Sequence, residues 1–208
     1  MPLKHIAVVA AGLSQPSSTR LLADRLAEAT VRSLAEHGDQ VEVTVVELRD
    51  LAHDITDNLL TGFPSPALNA AITAVTSADG VIAVTPVFTA SYSGLFKSFF
   101  DVIDKDSLAG TPVLIGATAG TARHSMVLDF ALRPLFSYLR AVVAPLGVFA
   151  ASEDWGSGDE TTTTLPDRVA RAGAQFADLI SGHSTARDDA FDGVVPFEEQ
   201  LRRLSADS

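Results

Sequence analysis

The stretch "IAVVAAGLSQPSSTRLLADRLAEA" (Ile6–Ala29) decides how this chain folds. An apolar run from Ile6 to Ala11 stops at Gly12. Four hydroxyls follow, on Ser14, Ser17, Ser18 and Thr19, and then Leu22, Leu26 and Ala29 recur at helical spacing. A strand with no polar face needs cover on both sides, as central strands of parallel sheets have. Working outward, Gly80–Thr85 and Pro112–Thr118 are runs of the same kind. Val41–Val46 alternates and suits an edge strand, and Val143–Ala150 is a fifth strand interrupted by Pro145 and Gly147. Helical patterns fall between them: Ala67–Thr76, Gly94–Ile103, a stripe of Leu128, Leu132, Leu135 and Leu139, and a last one through Val169, Phe176 and Ile180. Strands alternating with helices predict a doubly wound α/β domain: a five-stranded parallel sheet in three layers.

Residues 1–181 are expected to form this domain, and 182–208 a tail in which "VVPFEEQLRRL" makes a short amphipathic helix. Residues 47–66, punctuated by Gly62, Pro64 and Pro66, are expected to form a long functional or mobile connection. Residues 151–165 are expected to be flexible. Pro134 lies inside the leucine stripe, where it removes a helical hydrogen bond, so a kink or π-bulge is expected near Phe130.

Composition narrows the function. The chain has 208 residues, 47% of them apolar, and a net charge of −11. Such an acidic surface repels nucleic acid and anionic membranes, so neither is an expected partner. The absence of cysteine excludes disulfides, thiolate metal sites and a cysteine nucleophile. His5, His37, His53 and His183 lack metal-ligand spacing. No apolar run is long enough to span a membrane and the N-terminus shows no cleavable leader, so the expected location is the cytoplasm.

Ligands of open α/β sheets sit beyond the C-terminal strand ends. The hydroxyl turn lies there, ahead of a helix whose N-terminus attracts anions. Ser14, Ser17, Ser18 and Thr19 add hydrogen-bond donors and Arg20 a charge, which suits a phosphate. The plainer alternative is that Ser17 or Ser18 merely caps the helix. Neither G-x-G-x-x-G nor GxxxxGK[ST] is present, so dinucleotide and nucleoside-triphosphate fingerprints do not apply. At the next strand end, "TPVFTASYSGLFKSFFDVID" (Thr85–Asp104) offers backbone amides and small side chains from Val87 to Ser91. Phe88 packs either against a flat heteroaromatic ring or into the core. Lys97 and Asp101 are spaced to pair. Phe96, Phe99 and Phe100 suit either a subunit interface or an ordinary core helix. In "GATAGTARHSM" (Gly116–Met126), Ala119, Gly120 and Ala122 let another molecule approach the backbone. His124 has two readings, catalytic or surface.

Taken together, "SQPSSTRLL", "TPVFTASYSGLFKSFFD" and "GTPVLIGATAGTARHSMVLDFALRPLFSYLRAVVAPLGVFA" resemble the NAD(P)H-dependent FMN reductases of the flavodoxin-like fold. The last stretch is most similar to the flavin reductases of sulfonate monooxygenase systems. The resemblance implies strand order 2-1-3-4-5, with Ser14 and Ser17 to Leu22 (Ser17, Ser18, Thr19, Arg20, Leu21, Leu22) around the FMN phosphate. It implies Pro86, Val87, Phe88, Thr89 and Ser91 along the isoalloxazine, and Thr118, Ala119, Gly120 and Ala122 at its other edge. It further implies a homodimer or homotetramer, NADPH or NADH as co-substrate, hydride transfer from nicotinamide C4 to flavin N5, and a partner monooxygenase. No catalytic side chain is expected, because the cofactors carry the chemistry. An FMN-containing quinone, azo-dye or metal-ion reductase and a non-catalytic electron carrier are the rival readings. Two departures stand out: "TAGT" replaces a double glycine, and Phe130 stands where the sulfonate-linked reductases often carry tyrosine.

Overall fold

The computed structural model describes residues 3–156 and 164–182. The strands are β1 (Leu3–Ala10), β2 (Gln40–Glu47), β3 (Gly80–Phe88), β4 (Ser91–Tyr92), β5 (Pro112–Ala119), β6 (Val142–Val143) and β7 (Val148–Ala151). The helices are α1 (Ser18–Glu36), α2 (Ala52–Thr61), α3 (Pro66–Thr76), α4 (Gly94–Asp101), α5 (Arg133–Tyr138) and α6 (Leu165–Ser181). Parallel strands run in the order β2-β1-β3-β5, and β6 and β7 both pair with the outer side of β5. β6 and β7 are the expected fifth strand in two pieces, so the topology is the doubly wound 2-1-3-4-5 arrangement. Among the described residues only β4 is antiparallel, folded back on the end of β3.

Alternation along the strands feeds two cores. Ile6, Val8 and Ala10 face one layer with Ile82, Val84 and Leu114, under α1 and α6. Ala7, Val9, Val81, Ala83, Val113 and Ile115 face the other, under α2 to α5. On that second side Phe96, Phe99, Phe100 and Phe136 are buried and packed together, with Phe96–Phe100 centroids 4.8 Å apart and Phe100–Phe136 4.9 Å apart edge to face. The three phenylalanines of α4 are therefore used inside the subunit, and they offer no surface to a neighbour. Lys97 does pair with Asp101.

Two expectations about irregular regions meet different outcomes. Residues 47–66 are not a long loop: a 3₁₀ turn (Leu48–Leu51) and α2 occupy most of them. This helix escapes periodicity because only Ile55 and Asn58 are buried on it and no side chain caps its start. It stops at Gly62, whose φ of 78° is left-handed and whose N–H bonds Asn58 O at 2.8 Å. Pro134 does produce a π-helical turn, Leu128–Leu132, in which Arg133 N–H reaches back to Leu128 O. Proline then sits in the first turn of α5, where its missing N–H is harmless.

Of the segment expected to be flexible, Ser152–Trp155 is an ordered 3₁₀ turn. Its Asp154 accepts from Ala151 N–H at 2.7 Å and pairs with Arg168 of α6. Residues 157–163 and the tail helix expected within 183–208 lie outside the described residues. Among the described residues, no helix is long and apolar enough to cross a membrane.

Candidate active site

The turn between β1 and α1 is built by three small residues. Ser17 is the N-cap of α1, and its hydroxyl accepts Arg20 N–H at 3.2 Å. Gly12 makes room for it: a Cβ there would fall 2.0 Å from Ser17 Oγ. Thr19 is buried, and its Oγ1 lies 2.8 Å from the equally buried Thr118 Oγ1 at the end of β5. That bond ties the first turn directly to the fourth strand of the sheet. Capping and this bridge account for Ser17 and Thr19. They leave the hydroxyls of Ser14 and Ser18 without a hydrogen-bond partner among the described residues.

The end of β3 is fixed as firmly. Thr85 is buried, donates to Pro86 O at 2.9 Å and accepts Ser93 N–H at 3.0 Å. Between them β3 and β4 close around Thr89 and Ala90, both left-handed at φ 49° and 66°. A type I′ two-residue hairpin has positive φ at both tip positions. Side chains with a Cβ hold it here at a cost of roughly 1–2 kcal/mol per residue. Ser93 then caps α4, accepting Phe96 N–H at 3.2 Å.

These turns, with the segment after β7, enclose a cleft of about 500 Å³ at the C-terminal rim of the sheet. The first turn contributes Ser14, Ser17, Ser18 and Thr19. Pro86, Val87 and Phe88 come from β3, and Thr118, Ala119 and Gly120 from β5. Three further residues line it that sequence reasoning missed: Leu13, Ser152 and Trp155. The chain's single tryptophan, four residues past a β-run at the same rim, was the available signal. Among the described residues, no lining side chain is charged. A Cβ on Gly120 would meet nothing within 4 Å, so the space beside it belongs to no protein atom.

Other residues singled out in the sequence lie elsewhere. Leu22 is fully buried under the sheet, and Leu21, Thr89, Ser91 and Ala122 are not part of the cleft wall. Arg20 turns its guanidinium away from the cleft, donating to Asp24 at 2.8 Å and pairing with Glu47 at the end of β2. The hydrogen bond to Asp24, with the Coulombic pull of both carboxylates, holds its proton more tightly than in a free arginine. His124 stands exposed in a 3₁₀ turn, outside the cleft.

This arrangement of sheet and rim cleft is flavodoxin-like. The flavodoxin WrbA-like protein from Agrobacterium tumefaciens shares the fold at a TM-score of 0.55 and 17% identity, over 88% of this chain and 99% of that one. Residues 5–156 match the family model described as NADPH-dependent FMN reductase, and the chain belongs to that family. An FMN reductase (NADPH) of Pseudomonas aeruginosa is 37% identical over 185 residues, covering 88% of this chain and 95% of the relative. The NADH-dependent FMN reductase SfnE of Pseudomonas putida is 34% identical over 186 residues, covering 89% and 97%. An oxidoreductase from Corynebacterium diphtheriae superposes with a TM-score of 0.82 at 47% identity, over 88% of this chain and 99% of that one. Membership makes this chain an oxidoreductase that works with FMN and a reduced nicotinamide.

Proposed function

We propose that the rim cleft is the FMN site, and that the chain passes reducing equivalents from NADPH or NADH to flavin for use by a partner monooxygenase. The observation that carries this reading is the cleft's chemistry: hydroxyls and a helix N-terminus on one side, an apolar wall on the other and, among the described residues, no charged side chain between. The residues fit FMN. Ser18 and Thr19 open α1, where backbone N–H groups have no carbonyl of the same helix to bond. No acidic residue occupies that first turn. Ser17 Oγ accepts one bond and keeps its own hydrogen to donate; whichever of Thr19 and Thr118 donates to the other, the acceptor keeps one as well. A phosphate monoester is held there by neutral donors and the helix dipole, without Arg20. Pro86, Val87, Phe88, Ala119 and Gly120 supply the surface for a planar ring system.

When bound, FMN supplies at N5 the acceptor for hydride from nicotinamide C4. The protein's share is orientation. The Thr19–Thr118 bond ties the first turn to the end of β5, and the Thr85–Ser93 bond fixes the β3 hairpin, so both walls are set before a second substrate arrives. Phe88 is 46% exposed at the mouth, which leaves an apolar edge for the nicotinamide side. The π turn and α5 expose Phe130 and Tyr138, at 75% and 72%, and Met126 is exposed just before them. That surface supports a homo-oligomer formed through this flank.

Titration of purified protein with FMN and with riboflavin, followed by flavin fluorescence, tests the site. FMN is expected to bind at least about tenfold more tightly, since each charge-assisted hydrogen bond to phosphate contributes about 1.5–3 kcal/mol. Equal affinities would remove phosphate from the first turn. Nicotinamide oxidation that fails to depend on added or bound FMN would remove the activity itself. Flavin that dissociates on dilution, with ternary-complex kinetics, marks FMN as a substrate; flavin retained through purification, with ping-pong kinetics, marks a quinone, azo-dye or metal-ion reductase.

A further inference from the structure

Arg25 and Trp155 form a pair that the flavin reading leaves unused. The Arg25 guanidinium lies 5.0 Å from the Trp155 ring centroid, a cation–π distance. Trp155 lines the cleft, while Arg25 borders a separate groove between α1 and α6 with Glu28 and Arg32. Among the described residues Arg25 makes no ion pair, unlike Arg20 one face away. The carboxylates next to Trp155 are Glu153, which is exposed, and Asp154, which is committed to Ala151 N–H and Arg168. The indole N–H, a donor with no acceptor capacity, has no hydrogen-bond partner among the described residues. A large rigid ring thus lies against a cation and lines the same cleft as the hydroxyls of Ser14, Ser17, Ser18 and Ser152.

We propose that Trp155 is a ligand-contact residue that selects the phosphorylated end of the flavin, and that Arg25 is the positioning residue that holds it. This rests on the assignment of the cleft to FMN and adds to the phosphate donors of the first turn. An acceptor oxygen of a phosphate monoester satisfies the indole N–H. Riboflavin, ending in a hydroxyl, offers a weaker partner at the same place.

The test is the ratio of riboflavin to FMN dissociation constants in full-length protein, measured by flavin fluorescence at equilibrium. Trp155→Phe keeps an aromatic ring and deletes the donor, and is expected to lower the ratio about fivefold through FMN alone. Trp155→His keeps a ring N–H and is expected to retain most of the preference. Trp155 is the chain's single tryptophan. Its emission therefore reports on this site without interference. Arg25→Leu is expected to raise acrylamide quenching of that emission in the flavin-free protein and to weaken FMN about threefold; Arg25→Lys restores both in part, because an ammonium still sits over the ring. An unchanged ratio in Trp155→Phe, with FMN bound normally by the parent, overturns the selection role. Unchanged quenching in Arg25→Leu overturns the positioning role. Failure of the parent protein to bind FMN at all overturns the cleft assignment instead.

Discussion

The two helical layers solve the same packing problem with opposite means. Under α2 to α5 the core is filled by bulk, with four phenylalanines in mutual contact. Under α1 and α6 it is filled by proximity, through Ala23, Ala27, Ala29, Ala172, Gly173 and Ala177. A Cβ on Gly173 would fall 2.6 Å from Ala29 Cβ and 2.9 Å from Thr30 N. The aromatic layer gains stability from area removed from water; the small-residue layer gains a fixed separation between two helices. The second kind of packing lies behind the hydroxyl turn, because α1 carries that turn on its N-terminus.

Each layer should fail under the substitution that suits the other. Phe136→Ala in the aromatic layer removes a fully buried ring and is expected to cost about 3–5 kcal/mol. Thermal melting should show this as a fall of roughly 10 °C. A loss below about 1 kcal/mol would mean that the aromatic cluster repacks freely. Gly173→Val in the other layer forces atoms into α1 and is expected to cost about 1–3 kcal/mol. It should also weaken FMN beyond what Phe136→Ala does, since it moves the helix that carries the first turn. If both variants reduced FMN binding equally, the assigned division between stability and placement would be wrong.

Smaller changes at the cleft sharpen the contrast. Gly12→Ala displaces the Ser17 hydroxyl from its cap, at about 1 kcal/mol in urea unfolding, and should lower FMN affinity. The Cβ added by Gly120→Val has no protein atom within 4 Å among the described residues, so melting should be little altered while flavin binding falls. Arg20→Ala is expected to change FMN affinity less than about twofold and stability by about 1 kcal/mol or less, being a partly exposed pair. A large loss specific to FMN would return Arg20 to the phosphate.

The weakest effect concerns pH. Asp167 closes the capping box of α6, and bonds from the Thr164 hydroxyl and then its N–H hold its carboxyl below the ordinary 3.8. A lowered folded value means that the contribution is complete above that ordinary value and is lost as pH falls through the folded one. The stability gap between the parent and Asp167→Asn should therefore be open at pH 7 and narrow towards pH 3. A gap of constant width would show that the carboxylate charge is not its source.

The legible parts of this chain were those written in periodicity. Strands such as Ile6–Ala11 carry apolar residues on both faces because both faces are covered, and the leucine stripe with Pro134 announced a π turn. Helix α2 was illegible because it rests on the core through little more than Ile55, so its polar sequence read as a loop. At the site, backbone-defined turns were visible through Ser17, Pro86 and Gly120. Side-chain direction was not: Arg20 stands one residue from Thr19, yet Asp24 one turn on in the same helix and Glu47 at the end of β2 draw it the other way. Trp155 was missed because its turn carries no recognisable pattern, and only the chain's return past β7 brings it to the rim.

The divided outer strand has a consequence of its own. Between β6 and β7 the chain leaves the sheet, and Arg133 donates to the carbonyls of Ala144 and Pro145 from the α5 side. Those oxygens are therefore already engaged, and the paired segments on either side are short. A stray polypeptide would find too little continuous backbone on this border to zip onto, so the margin nearest Trp155 resists the edge-to-edge stacking that seeds amyloid-like aggregates. The opposite margin, β2, is an uninterrupted eight-residue strand with Val43 and Val45 exposed, and it is there that misassembly of crowded or heated protein should begin.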